Sequence, residues 1–287
     1  MEFEGINVED APRLKNPVFI VGFDGWGNAL NTSKGMVDYI IRTLRGRFIA
    51  QLDTDMFYRY DAVRPIVAVE DGVLKKHRPP GASFFAIETE SDAHDLVVLS
   101  GDEPNLAWSL LVRNLYGYLQ ALGVKTVISL GGLFDNVLHT DRVISGVVSN
   151  EGLKALLRQK GVSPITYHGP STIHATIQWE GRKRGFECLN LWCHCPYYLQ
   201  GLTHFGLLST LGRLLSYLGH FNIDMDVLED NWERLQPEIQ ELIEKNPQIK
   251  SAVERLMKQR SREAAALHKS VDPKEKIIDL SDFLEPK

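Results

Sequence analysis

The chain has 287 residues, 44% hydrophobic and 24% charged, a globular composition with enough apolar residues to bury a sizeable core. Its net charge of −5 excludes whole-molecule attraction to nucleic acid, and no run approaches the roughly 18 apolar residues of a membrane span. The N-terminus lacks the basic start and apolar stretch of a secretory signal, and Cys188, Cys193 and Cys195 form an odd, closely spaced set, so a soluble cytoplasmic protein with reduced thiols is expected.

Taken in chain order, residues 17–23 (PVFIVGF) are almost wholly apolar and predict a strand buried on both faces. The loop DGWGNALN follows, and Leu30, Met36, Val37, Ile40, Ile41 and Leu44 then fall on one stripe of a helix over 30–44. Further strands are predicted at 48–53, 65–69, 83–88, 95–100 and 126–131. Turn chemistry such as Asp71-Gly72 and Pro79-Pro80-Gly81 separates them. Asp-Gly predicts a hairpin, hence antiparallel neighbours and a mixed sheet. A helix over 104–122 is expected, with Pro104 at its start and Gly123 just past its end.

The second half predicts a helix over 151–160, a strand at 165–167, and a helix opened by Pro170-Ser171 and stopped near Gly185. A strand over 186–195 and a helix over 203–218 follow. Alternation in the strand places Glu187, Leu189, Leu191, Cys193 and Cys195 on one face, with Cys188, Asn190, Trp192 and His194 on the other. From Asn222 the chain becomes charged and helical. One stripe is Leu228, Trp232, Leu235, Ile239, Leu242 and Ile243; the second is Ile249, Val253, Leu256 and Met257. The expected organisation is an α/β domain over 1–220, a helical hairpin over 221–260, and a polar tail over 261–287, either loose or docked through Ile277, Ile278 and Leu280.

No catalytic motif emerges. Gly22, Gly25 and Gly27 match neither nucleotide-binding glycine pattern, and Trp26 would obstruct a pyrophosphate, so a shaped turn with an exposed aromatic is the simpler reading. Cys193-His194-Cys195 lies in one strand whose alternation sends His194 away from the two sulfurs, which does not make a zinc site. No G-x-S-x-G elbow occurs. The best polar constellation is Gly131-Gly132 followed by His139, Thr140, Asp141 and Arg142. It reads either as an anion site or as a surface loop with solvated charges. Asp102 and Glu103 read as caps of the helix starting at Pro104, and His168-Gly169-Pro170 reads as a strand-to-helix corner. The candidates for binding a ligand or partner are Asp24, Trp26, Gly101, Glu103, Gly131, Gly132, His139, Arg142 and Gly169. Neither a metal nor a cofactor is expected.

Several corners together resemble the proteasome-assembly-chaperone-2-like family. They are Gly22-Phe23-Asp24-Gly25-Trp26; residues 53–60 with Arg64-Pro65; Gly101-Asp102-Glu103-Pro104 with Trp108; His139-Thr140 with Arg142; Tyr167-His168-Gly169-Pro170; and Pro196-Tyr197-Tyr198. The resemblance implies a three-layer α/β domain similar to the purine-nucleoside-phosphorylase-like architecture, a helical appendage in some members, and homo-oligomers, often trimers. With the absence of a catalytic motif it points to a noncatalytic assembly role; charge and hydropathy give no nucleic acid or membrane as partner, and Trp26, Tyr58, Tyr60 and Tyr198 are candidate contact aromatics because exposed aromatics favour interfaces. Relatives that dock on proteasomes tend to end in a hydrophobic residue, Tyr and any residue, whereas this sequence closes Leu284-Glu285-Pro286-Lys287, a departure that argues against that docking mode. The alternative is a phosphorylase- or hydrolase-like enzyme or sensor built from Gly131, Gly132, His139, Arg142 and Glu103.

Overall fold

The structure, a computed structural model, describes residues 2–90 and 94–270. Two compact units divide at Pro237. The larger unit begins with β1 (Ile6–Val8), β2 (Val18–Asp24), α1 (Thr32–Thr43), β3 (Arg47–Leu52), α2 (Thr54–Phe57), β4 (Ile66–Glu70) and β5 (Val73–Arg78). It continues with β6 (Ala82–Ile87), β7 (Leu96–Asp102), α3 (Trp108–Ala121), β8 (Thr126–Asp135), β9 (Ile144–Val148) and α4 (Glu151–Gln159). β10 (Ser163–Pro164), α5 (Ile173–Lys183), β11 (Glu187–Pro196), α6 (Phe205–Gly219) and the start of α7 (Asp226–Lys245) complete it.

Among the described residues, nine strands form one mixed sheet in the order β1-β3-β6-β7-β2-β8-β11-β9-β10. Its centre, β7-β2-β8-β11, is parallel. β1, β3 and β6 add antiparallel strands on one side, and β9 pairs antiparallel with β11 on the other. The near-continuous apolar run of β2 follows from its central place, because both of its faces are covered. Phe19, Val21 and Phe23 point into a core shared with α3 and α5, including Leu115, Tyr116 and Ile177. The opposite face meets α1, where Gly22 lies against Ser33 and Val37. Helices on both sheet faces make the expected three-layer mixed α/β architecture.

The Asp71-Gly72 turn does form a hairpin, with φ of 49° and 76° at its two central residues, the left-handed pair that a two-residue hairpin turn demands. Among the described residues its strands β4 and β5 pair only with each other, as a separate arm, so the mixed character of the main sheet comes from β1, β3, β6 and β9 instead.

Two expected elements shift. The helix predicted from Pro104 starts at Trp108. The amides before it are already taken: Glu103 N–H donates to Asp24 O at 2.7 Å, while Asn105 and Leu106 both donate to Phe57 O. The strand expected at 165–167 is not formed, and only Ser163–Pro164 pairs with β9. Tyr167 instead folds over Gly169, its hydroxyl donating to Pro170 O at 2.8 Å. The unpredicted β9 carries Ile144, Val147 and Val148 around Gly146, a short β-branched run.

The smaller unit contains the remainder of α7 and α8 (Pro247–Ser270). Ile239, Ile243 and Val253 are buried, whereas Leu242 and Met257 are exposed. α8 runs ten residues past the expected end of the appendage at residue 260. Ile277, Ile278, Leu280 and the closing Leu-Glu-Pro-Lys lie outside the described residues. Among the described residues no helix is long and apolar enough to cross a membrane.

Candidate functional site

Because β7, β2, β8 and β11 run parallel, the segments after them, residues 103–107, 25–31, 136–143 and 197–204, leave from one edge of the sheet. Open α/β sheets place their binding sites at this carboxyl edge. Asp24, Trp26, Gly101, Glu103, Gly131, Gly132, His139 and Arg142 lie there or within a strand leading to it, and the structure sorts them into two groups; Gly169 lies instead in the connection between β10 and α5, against Tyr167.

The first group surrounds Gly25. Asp24 ends β2 beside Asp102 at the end of β7. Gly25 has φ of 154°, and a methyl group there would sit 2.8 Å from the Glu103 side chain, so glycine is required. Glu103 does act as a cap, but of a different helix from the one expected. Its Oε1 accepts the Ile173 N–H at 2.9 Å, placing a carboxylate at the positive end of α5. Trp26 projects into solvent, 67% exposed. Gly101 is the point where β7 approaches Gly81, since a methyl there would lie 2.2 Å from Gly81 O.

Gly131 and Gly132 lie inside β8 rather than in a turn, and both serve close packing. The Trp192 indole covers Gly131 and would be 2.5 Å from an added methyl. Gly132 N–H donates to Gly27 O at 2.7 Å, so this amide is spent on the first loop. Trp192 also meets His174 edge-on, and Phe23 stacks on that imidazole at 5.6 Å. Among the described residues neither ring nitrogen of His174 has a hydrogen-bond partner, and burial pushes its pKa down to about 4.

The second group centres on α6. His204 caps this helix with its imidazole: Nδ1 accepts Leu207 N–H at 3.1 Å, and Nε2 donates to His139 O at 3.0 Å. One neutral tautomer satisfies both bonds, and burial lowers the His204 pKa to about 4. The Trp232 indole stacks on His204 at 4.3 Å and 11°. The Tyr198 hydroxyl accepts His139 N–H at 2.6 Å and lies 2.9 Å from its Nδ1, while burial lowers the His139 pKa. Arg142 forms a two-pronged pair with Glu229, at 2.7 and 2.8 Å, and Ser209 adds a hydroxyl donor at 2.6 Å. The Arg142 guanidinium, helped by Ser209, holds the Glu229 carboxyl down at about 2.

Glu103 is therefore committed to α5 and Arg142 to α7, and they share no bonding partner. This geometry lends no support to a phosphorylase- or hydrolase-like centre uniting Glu103, His139, Arg142 and the two glycines. The three thiols are free and buried; burial raises Cys188 to about 11 and Cys195 to about 12, which is unsuited to a nucleophile. His194 turns away from the sulfurs as alternation predicts, bonding Asp135 at 2.7 Å and Ser145 at 2.8 Å. Of the expected contact aromatics, Trp26 and Tyr60 are exposed, Tyr198 is half-buried, and Tyr58 is buried with its hydroxyl on Asp102 O at 2.8 Å. Sequence reasoning passed over the capping role of His204 and the pairing of Glu229. A histidine immediately before the apolar run of α6 was the available signal for the cap; no local signal marks Glu229.

A family model described as the PAC2 family matches residues 19–243. No curated protein matches the chain. Among solved structures, a proteasome-assembly chaperone homologue from Mycobacterium tuberculosis is similar over 82% of this chain and 99% of its own, with 25% identity and a TM-score of 0.75. A PAC2 family protein from Streptomyces avermitilis is 26% identical over 83% of this chain and 99% of its own, with a TM-score of 0.73. A Mycobacterium tuberculosis protein of unknown function shares the fold at 19% identity, with a TM-score of 0.83 over 94% of this chain and 93% of its own. The family match spans all the sheet strands except β1 together with the corners gathered at the carboxyl edge, and the chain belongs to the PAC2 family.

Proposed function

We propose that this protein is a noncatalytic, assembly-chaperone-like binding protein that works as a closed homo-oligomer, a trimer, built through the β4–β5 arm. The arm is the observation that carries this reading. Ile66, Val67, Val69, Val73 and Leu74 on it are all between 52% and 59% exposed. Ile66 and Val67 are consecutive in a strand, so apolar side chains stand on both faces. A two-stranded ribbon is at best marginally stable in water by itself, and its unpaired edges and exposed apolar groups are features that association removes.

A second copy of the chain suits this arm. Residues 64–78 carry Arg64, Lys75, Lys76 and Arg78 against only Glu70 and Asp71, on a chain whose net charge is −5, so a basic arm meets an acidic body. An arm of one protomer seated on the body of the next is a head-to-tail contact, which forms a ring of three when each contact turns the chain by a third of a circle. The family membership and the similarity to a proteasome-assembly chaperone homologue support the chaperone-like role. Light scattering coupled to size exclusion on the full chain is expected to give the mass of three copies, and V69D/L74D the mass of one. Wild-type protein that stays a single copy at micromolar concentration would sink the reading, and an unchanged mass for V69D/L74D would remove the arm from it.

A further inference from the structure

A cleft of about 430 Å³ opens at the root of the arm, between α1, the end of β5 and the last residues of β7. Its volume falls in the range of small-molecule sites. Its lining combines cations with an apolar wall, and each of its two acids already holds a partner. Asp38 uses one oxygen to accept the Ser100 hydroxyl at 2.5 Å and the other to pair with Lys34 Nζ at 2.5 Å. Asp102 Oδ2 accepts Gly81 N–H at 3.0 Å.

Two further cations and two further hydroxyls are not so committed. Arg42 and Arg78 carry no ion pair or hydrogen bond among the described residues; Arg42 only leans over the Tyr39 ring at 5.9 Å. The hydroxyls of Thr54 and Ser83 likewise have no hydrogen bond among the described residues. Two guanidiniums and two hydroxyls thus line one cleft as unspent donors, while Ile41, Phe85 and Pro79 supply apolar surface beside them. A guanidinium is a planar fork matched to phosphate and carboxylate oxygens.

We infer that this cleft binds a small molecule with a phosphate or carboxylate head, held by Arg42 and Arg78, and a compact apolar body lying against Ile41, Phe85 and Pro79. The site is separate from both groups of candidate residues at the sheet edge, except that Gly101 forms part of its floor.

Phenyl phosphate and benzoate test the two head groups on the same body, with phenol as the uncharged control, each titrated calorimetrically into the full chain. One of the two anions is expected to saturate a single site per chain with a dissociation constant of ~0.1–1 mM, as befits a ligand of that size. Phenol is expected not to bind. R42A leaves the arm intact and is expected to weaken binding about tenfold, the usual worth of a charge-assisted hydrogen bond, and R42A/R78A to abolish it. Saturation by phenyl phosphate alone identifies a phosphate head, and by benzoate alone a carboxylate head. Absence of saturable binding by both anions, equal binding of phenol, or wild-type affinity in R42A/R78A would overturn the assignment.

Discussion

Replacing Trp232 with alanine is expected to destabilise the larger unit by about 3–4 kcal/mol, the usual cost of removing a buried indole from a packed core. Trp232 is 4% exposed, stacks on the imidazole that caps α6, and lies so close to Gly206 that a methyl there would stand 3.0 Å from the ring. Its removal opens a cavity over His204 and exposes the His204–His139 bond to water. Urea unfolding followed by circular dichroism measures the loss, and a change under about 1 kcal/mol would show that the start of α7 is not part of this core. The prediction also bears on dissection of the chain: a cut near residue 220, where the sequence suggests a domain end, would remove Trp232, Leu228 and Glu229 from the unit they help to bury.

The second large effect is acid lability from two histidines. His174 is 2% exposed and His204 is 1% exposed, and burial lowers both from 6.5 to about 4. Above pH 6.5 each is neutral whether the chain is folded or unfolded, and its native environment carries no protonation cost. As pH falls below 6.5, the unfolded chain takes up protons that the folded one refuses, so stability declines, and the decline levels off below about pH 4. Each histidine contributes a loss of up to about 3 kcal/mol across that window. Glu229 acts separately: its folded value of about 2 against an ordinary 4.5 means that its contribution is lost only as pH drops through that lower range. Unfolding free energies at pH 7, 5.5 and 4 should therefore fall steadily, and H174L should reduce the fall while leaving the Glu229 range untouched. A wild-type stability that is flat from pH 7 to 4 would contradict the account of both histidines.

Much of the scaffold is legible in the sequence because it rests on local patterning. PVFIVGF reads as a doubly covered strand, Asp71-Gly72 reads as a hairpin turn, and the alternation around Trp192 sorts the cysteines from His194. The misreadings are tertiary. Glu103 has the chemistry of a helix cap, but the helix it serves begins 70 residues later in the chain, at Ile173. Gly131-Gly132 resembles an anion turn until the neighbouring strand of the same sheet lays Trp192 across the first glycine. Arg142 finds its carboxylate 87 residues away on α7, so its solvated or anion-binding alternatives could not be weighed against that partner from sequence. Tyr58 illustrates the limit for surfaces: it stands between apolar Met56-Phe57 and polar Arg59, and the structure buries its ring with its hydroxyl on Asp102 O.

The arm and the cleft at its root lie side by side. Residue 78 belongs to both, as the last residue of β5 and as a cation of the cleft. An arm seated on a neighbouring protomer would hold Arg78 in place, whereas a free arm would leave it mobile in solution. Assembly and anion binding are thus expected to be coupled, because whatever orders the arm also orders half of the cation pair.

The most direct test of the central claim is amide hydrogen exchange across residues 66–78 in the full chain, at micromolar concentration and again after dilution. If a second copy covers the arm, its amides exchange as slowly as those of the main sheet at the higher concentration and lose that protection on dilution. Rapid exchange of the arm at both concentrations, beside a protected β2 and β8, would show a ribbon that stands in water alone, and the arm-built oligomer would be wrong.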